Sequence, residues 1–203
     1  AMLWRIHAAS CLLVVPQFLT ATYALVYLVD AHAWAGVPAG RLVAAAQFGG
    51  AVNRLAVGWW SDRTGSRLRP MRQLALGISA VLGVLALTTL TGPSVLAVTA
   101  LVAATTLSSS TNGLAFTAVA ERAGSAWAGR ALGVQNTAQN TFAAATPAAF
   151  GALIGAIGYA STFGLALTLP LVACFLVPVR SERMSGSGPL TAPGTNGPGS
   201  AGE

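Results

Sequence analysis

The sequence predicts an all-α membrane protein with six transmembrane helices. Apolar residues make up 54% of the 203 residues and charged residues only 8%, whereas soluble domains usually carry about 25% charged residues. So few charges cannot cover a water-facing surface, and most of the surface must therefore face lipid or other protein. The apolar residues also form separate runs near the length of about 20 residues that a helix needs to cross a bilayer core.

Six apolar segments alternate with helix-breaking residues. The segments cover residues 6–29, 40–60, 73–91, 94–119, 131–157 and 160–179, and the breaks are Gly36 with Pro38, Gly92 with Pro93, Gly124 and Gly158. The first segment is too long for a signal peptide, and no small-residue cleavage site precedes a soluble domain. We therefore predict one transmembrane domain over residues 1–183. Residues 184–203 are rich in Gly, Pro, Ser and Thr, and are predicted to form a disordered cytoplasmic tail.

The basic residues predict the orientation in the membrane. All eleven are Arg, and none forms a patch with interleaved aromatic residues, so the net charge of +6 does not indicate nucleic-acid binding. With the N-terminus in the cytoplasm, nine fall on the cytoplasmic side: Arg5, Arg63, Arg67, Arg69, Arg72, Arg122, Arg130, Arg180 and Arg183. Only Arg41 falls outside, and Arg54 lies within the second helix. The positive-inside rule then places both termini in the cytoplasm.

Other functional classes find little support. Cys11 and Cys174 stand alone in apolar segments, so neither a disulfide nor a metal site is predicted. No catalytic constellation and no phosphate-binding loop are present, and we predict no enzyme and no cofactor. Arg without Lys, together with many Ala and Gly, indicates a GC-rich bacterial genome. With the six apolar segments, this predicts a multi-pass protein of the bacterial plasma membrane.

One specific motif connects the second and third segments. Residues 58–67, GWWSDRTGSR, have the pattern GxxxDRxGxR. Gly58 permits two helices to approach closely, and Gly65 permits the tight turn of a helical hairpin. Asp62 lies between the two glycines beside Arg63 and Arg67, so it can pair with either arginine or with the N-terminus of a nearby helix. Charge pairs that form in one conformation and break in another would serve as a gate. The alternative is a loop that is only anchored to lipid headgroups and has no gating role.

This motif resembles the signature of the major facilitator superfamily, which follows the second and eighth helices of that family. Residues 121–133 resemble the family's connection between its tenth and eleventh helices, and the resemblance covers about residues 4–183. It implies a C-terminal half of six helices in two inverted three-helix repeats. It also implies a secondary active transporter that moves a small solute by alternating access. Ser66 departs from the family, which often has a basic residue there.

Polar residues at helical spacing supply candidates for the solute pathway, because amides and hydroxyls are costly in lipid. The candidates are Thr20, Tyr23 and Tyr27 on the first helix, Arg54 on the second, Asn112 on the fourth, and Gln135, Asn136, Gln139 and Asn140 on the fifth. Such groups also serve as hydrogen-bonding contacts between helices, and Arg54 could bind an anionic solute, pair with a loop acid or extend to the interface. Asp30 is a candidate for proton coupling, and an interfacial cap is the alternative.

Two functions remain open. The first is a transporter, or its C-terminal half, whose partners are the bilayer, a small-molecule solute, and a missing N-terminal half or a second copy, with possible proton coupling. The second is a non-transporting membrane scaffold or assembly subunit derived from such a half. A single half encloses no pathway, and a chain that opens at Ala1 rather than Met is expected to be a fragment or a processed chain.

Overall fold

The computed structural model describes residues 2–92 and 94–179, in which all regular secondary structure is helical. The helices are α1 Met2–His32, α2 Gly36–Thr64, α3 Leu68–Leu90, α4 Val95–Ser108, α5 Thr111–Ala123, α6 Ala128–Ala166 and α7 Thr168–Leu176. Each predicted apolar segment coincides with helix over most of its length. The predicted tail at 184–203, together with Arg180 and Arg183, lies outside the described residues.

Within residues 2–92 and 94–179, four helical stretches are long and apolar enough to cross a membrane: Met2–His32, Leu68–Leu90, Val95–Ala123 and Ala128–Leu176. The last has 49 residues, which at 1.5 Å per residue would extend about 74 Å, more than twice the roughly 30 Å of a bilayer core. It is divided at Gly158, where φ is 77° and ψ is 172°, a conformation that only glycine adopts readily. The predicted break at Gly158 is thus present, and the count of six crossings stays a prediction.

Helix α2 has a length comparable to these stretches, but it is more polar and much less buried. Only Ala39, Ala46, Gly50, Val57 and Ser61 are buried along its 29 residues. By contrast, α1 is buried along its length because it packs against α2, α4, α5, α6 and α7. The first helix is therefore the centre of the bundle, and the second lies at its edge.

A break in the fourth predicted segment separates α4 from α5 at Ser109 and Ser110. The hydroxyls of this serine-rich stretch donate back to carbonyls one turn earlier, with Ser108 Oγ 2.5 Å from Ala104 O and Ser109 Oγ 2.9 Å from Thr105 O. Such bonds compete with the helical ladder and bend helices. The break was not predicted, because it involves neither Gly nor Pro.

One end of the bundle carries the hairpin of residues 58–67 and is called the motif end. The start of α1 lies at this end, where Arg5 Nε donates to Leu176 O at 3.0 Å and Arg5 Nη2 to Phe175 O at 3.1 Å. These carbonyls lie at the C-terminus of α7 and lack partners within the helix, so the guanidinium caps them. The first and last helices are thereby joined at the motif end.

Candidate functional site

The hairpin between α2 and α3 turns at Gly65, whose φ of 58° and ψ of 25° are left-handed. The backbone N–H of Gly65 donates to Asp62 O at 3.2 Å, and that of Ser66 donates to Ser61 O at 3.4 Å. These bonds satisfy carbonyls at the end of α2 in the manner of a glycine C-cap. The tight turn predicted for Gly65 is therefore present.

Arg67 is the centre of a charge cluster at the motif end. Its guanidinium donates to Asp62 Oδ1, to Ser61 Oγ at 3.1 Å, and to Glu121 Oε1 at 3.1 Å. The hydrogen bond with Asp62 is the largest effect raising the pKa of Arg67, and Glu121 adds to it against the opposing effect of burial. Arg67 thus stays cationic and connects the end of α2 with the end of α5.

Arg63, the other candidate partner of Asp62, has a different neighbour. Its guanidinium carbon lies 3.7 Å from the centre of the Trp59 ring, which is a cation–π geometry. Both side chains are exposed at the edge of α2. Arg67, and not the adjacent Arg63, therefore forms the ion pair with Asp62.

Gly58 does not make the close helix contact that we expected. No atom of the described chain lies within 4 Å of the position that a Cβ at Gly58 would take. Instead Gly58 lines a cavity of about 310 Å³ between α2 and α5, together with Arg54, Asp62, Gly113 and Thr117. The missing side chain leaves open space beside the charge cluster.

Arg54 binds the break between α4 and α5. Its Nε and Nη2 both donate to Ser109 O, at 3.1 and 3.0 Å, while Asn53 Nδ2 donates to Ser110 Oγ at 2.8 Å. A Cβ added at Gly50 would lie 2.9 Å from Ser109 Oγ and 3.0 Å from Ser109 Cβ, so α2 packs closely against the break at this glycine. Arg54 therefore has a backbone carbonyl as its partner, whereas a loop acid or an anionic solute had been considered.

The amides of the pathway candidates divide into a buried and an exposed set. Gln135 is fully buried; its Nε2 donates to Ser10 Oγ and its Oε1 accepts from His7 Nδ1. Asn112 and Gln139 belong to a second group, in which Asn112 Nδ2 donates to Gln17 Oε1 at 2.7 Å and Asn112 Oδ1 accepts from Gln139 Nε2 at 3.3 Å. These bonds join α1, α5 and α6 inside the bundle.

Asn136 and Asn140 lie on a neighbouring face, about 100° around α6, and are exposed. The side chain of Asn140 donates to Asn136 O at 2.9 Å, which leaves both side-chain oxygens on the surface of the described chain. The two asparagines therefore point away from Gln135 and Gln139, although all four lie within six residues.

The candidates on α1 are held by contacts inside the bundle. Thr20 is buried and donates to Pro16 O at 3.0 Å, and Tyr23 donates to Pro147 O at 2.5 Å. Tyr27 is fully buried, with its hydroxyl 2.7 Å from Thr89 Oγ1. Each of the three hydroxyls already has a partner within the chain, in another helix for Tyr23 and Tyr27 and in α1 itself for Thr20.

Asp30 lies at the end of the bundle opposite the motif end. Its carboxylate is exposed and accepts a hydrogen bond of 3.4 Å from the hydroxyl of Tyr159. Tyr159 in turn packs edge-on against Tyr27, with ring centres 5.1 Å apart. An acid is thus coupled to an aromatic cluster at this end, whereas an isolated interfacial cap was the alternative.

Comparison with known proteins now decides the family. The family model described as Major Facilitator Superfamily matches residues 1–147. The chain belongs to this superfamily. It is 47% identical over 180 residues to an uncharacterized MFS-type transporter of Mycobacterium tuberculosis strain H37Rv, and 46% identical to one of strain CDC 1551.

Each of these alignments covers 89% of the chain and 40% of the mycobacterial relative. The chain therefore spans about 40% of the length of the relatives it matches. Both relatives carry the name of a transporter and not that of an enzyme. Membership of the Major Facilitator Superfamily, with helices apolar enough to cross a membrane, makes this a multi-pass membrane protein of a transporter family.

The structure adds residues to the site of this superfamily member that the sequence analysis missed. They are His7, Ser10 and Gln17 in the buried amide groups, and Glu121 in the charge cluster. The three on α1 recur at spacings of three and seven residues, a periodicity that indicates one helical face, so this signal was present. Within the described residues, no group of three or more His, Cys, Asp or Glu is arranged to hold a metal ion.

Proposed function

We propose that the chain is the C-terminal half of a secondary active transporter that moves a small solute by alternating access. The observation that carries the proposal is the cluster of Arg67 with Asp62 and Glu121. It joins α2 to α5, which belong to the first and second three-helix units of the proposed inverted repeats. Both carboxylates are more than half exposed, so the ion pairs can break and re-form at little cost in desolvation.

The proposed six crossings are α1, α2, α3, the broken pair α4 and α5, and the two arms of the last stretch on either side of Gly158. Supporting this count, α2 has a crossing length of 29 residues and the last stretch is long enough to cross twice. The arginine distribution supports a cytoplasmic location for the motif end and for both termini. The transporter names of the mycobacterial relatives support transport of a solute.

The pathway is proposed to run along the exposed face of α6 at Asn136 and Asn140, against an N-terminal half or a second copy. Polar groups on a crossing helix are stable when they face protein or a water-filled cavity, and neither asparagine faces the rest of this chain. Gln135, Gln139, Asn112 and Tyr23 would instead hold α1, α5 and α6 in register, while Tyr27 joins α1 to α3 and Thr20 bonds within α1. Asp30 with Tyr159, at the opposite end, is the proposed place for proton coupling.

The test is reaction of a reporter cysteine with a water-soluble maleimide in the full-length protein without its native cysteines. Asn140→Cys should react, because a solute pathway contains water. Leu87→Cys, on the exposed apolar surface of α3, is the matched control and should not react. Equal protection of both cysteines would place Asn140 in lipid and end the pathway proposal.

A reconstituted uptake assay separates the transporter from the alternative scaffold. Full-length protein in liposomes should accumulate at least one solute from a mixed pool when a proton gradient is applied. The 203-residue chain alone, shown to be monomeric, should accumulate none because one half encloses no pathway. Uptake by the monomeric chain would refute the need for a partner.

A further inference from the structure

A second cleft opens at the motif end, between the first turns of α1, the end of α5 and the start of α6. Its volume of about 410 Å³ is within the usual range for small-molecule sites. The lining includes two arginines, Arg122 and Arg130, and no acidic residue. The cleft therefore favours a negatively charged occupant.

Two tryptophans form its rim at the level of the helix ends. Trp4 is 69% exposed and Trp127 is 60% exposed. The guanidinium carbon of Arg130 lies 4.8 Å from the centre of the Trp127 ring, a cation–π contact that holds the charge beside the rim. Exposed tryptophan at the end of a crossing helix is typical of the membrane–water interface. The positive charges thus lie at the depth of lipid headgroups.

The remaining wall of the cleft is apolar. It includes Leu3 on α1 with Ala131 and Val134 on α6, and Val134 lies one turn further along α6 than Arg130. Because Val134 is itself 45% exposed, the apolar wall continues onto the outer surface of α6. A small hydrophilic anion would leave this wall in contact with water, whereas an amphiphile would cover it.

We propose that this cleft binds an acidic membrane phospholipid. The phosphodiester oxygens accept hydrogen bonds from Arg130 beside Trp127, and one acyl chain lies along Leu3 and Val134. Basic pockets between helices on the cytoplasmic side of a membrane are suited to anionic headgroups. The lipid would bind whether or not the protein transports a solute, so this site is independent of the proposed function.

The experiment measures quenching of tryptophan fluorescence by phospholipids with brominated acyl chains, in full-length protein purified in mild detergent. Brominated phosphatidylglycerol should quench more than brominated phosphatidylcholine at equal concentration. Trp127→Phe should remove most of this excess, which locates the lipid. Arg130→Gln should weaken phosphatidylglycerol binding about fivefold, the effect of one basic residue near an anionic surface.

Two further variants keep the result interpretable. Arg130→Lys retains the charge and should retain most of the binding, so a loss confined to Arg130→Gln is not a general folding defect. Arg41→Gln removes an exposed arginine at the opposite end of the bundle and should change nothing. Inorganic phosphate at tenfold excess over the lipid should not displace it, since phosphate lacks the acyl chain.

Three outcomes would overturn the proposal. The first is equal quenching by the two brominated lipids, which would indicate a purely apolar surface. The second is an excess for phosphatidylglycerol that survives both Arg130→Gln and Trp127→Phe, which would place the lipid elsewhere. The third is efficient displacement by inorganic phosphate, which would indicate a site for a free anion.

Discussion

Replacing Asp62 by Asn tests whether the charge cluster at the motif end controls the conformation. The amide keeps the size of the side chain but loses the charge that pairs with Arg67. The side chain of Asp62 is 64% exposed and that of Arg67 is 24% exposed. Solvent therefore screens the pair, and its contribution is about 1 kcal/mol, at the upper end of the range for exposed ion pairs. A change of this size alters a two-state ratio about fivefold.

The assay is the rate at which the Asn140→Cys reporter reacts with an impermeant maleimide in a protein without native cysteines. If the cluster stabilises one of the two conformations, Asp62→Asn should change this rate about fivefold. At 1 M salt the difference should become smaller, because exposed ion pairs are weakened by salt screening. An unchanged rate with normal uptake would refute the gate and leave only a loop at the membrane surface.

A double-mutant comparison identifies the partner. The double variant Asp62→Asn/Arg67→Gln should change the free-energy difference between the two conformations by about 1 kcal/mol less than the sum of the two single changes, because the two side chains pair directly. Arg63→Gln is the matched control, since Arg63 lies over Trp59. The free-energy changes caused by Arg63→Gln and Asp62→Asn should be additive within about 0.5 kcal/mol. Coupling to Arg63 and not to Arg67 would contradict the geometry described above.

Two other predictions test the packing and the orientation. Gly50→Ala should destabilise the protein by about 1–3 kcal/mol through overpacking, seen as a lower melting temperature in detergent. The neighbouring Gly49→Ala, whose Cβ would meet only ordinary contacts at 3.6 Å, should be tolerated. Equal melting temperatures of the two variants would show that the contact between α2 and the break can adjust to a methyl group. In intact cells lacking the native cysteines, Val37→Cys should react with an impermeant thiol reagent and Ser125→Cys should not. The reverse pattern would invert the proposed topology.

The positions of the helices were predictable because apolar runs and breaks recur at the scale of a bilayer. Gly158 and Gly65 were identified for a physical reason, namely that few other residues adopt a positive φ. The break at Ser109 escaped prediction because serine is compatible with a helix interior. Here the Ser109 hydroxyl donates to the preceding turn, and Arg54 of a neighbouring helix donates to the Ser109 carbonyl.

The site was less predictable than the helices. Helical spacing places Gln135 and Gln139 on one face, but a face that avoids lipid is equally suited to a cavity or to another helix. Gln135 bonds to residues that are 125 and 128 positions away in the chain, and Asn112 bonds to Gln17, which is 95 positions away. Only the fold reveals these partners. In the same way, Glu121 joins Arg67 across 54 residues, a pairing that no local pattern contains.

The contact of Arg54 with Ser109 has a consequence for the biogenesis of the protein. In the proposed topology α2 crosses the membrane with Arg54 inside it, although an arginine costs up to about 2.5–3.5 kcal/mol at the centre of a helix on insertion scales and α2 is not among the described stretches apolar enough to cross. The carbonyl that accepts its guanidinium lies 55 residues later in the chain. While the ribosome is still making α3, no such acceptor exists. We therefore expect α2 to wait at the translocon or at the membrane surface, and to settle into the bilayer only together with α4 and α5.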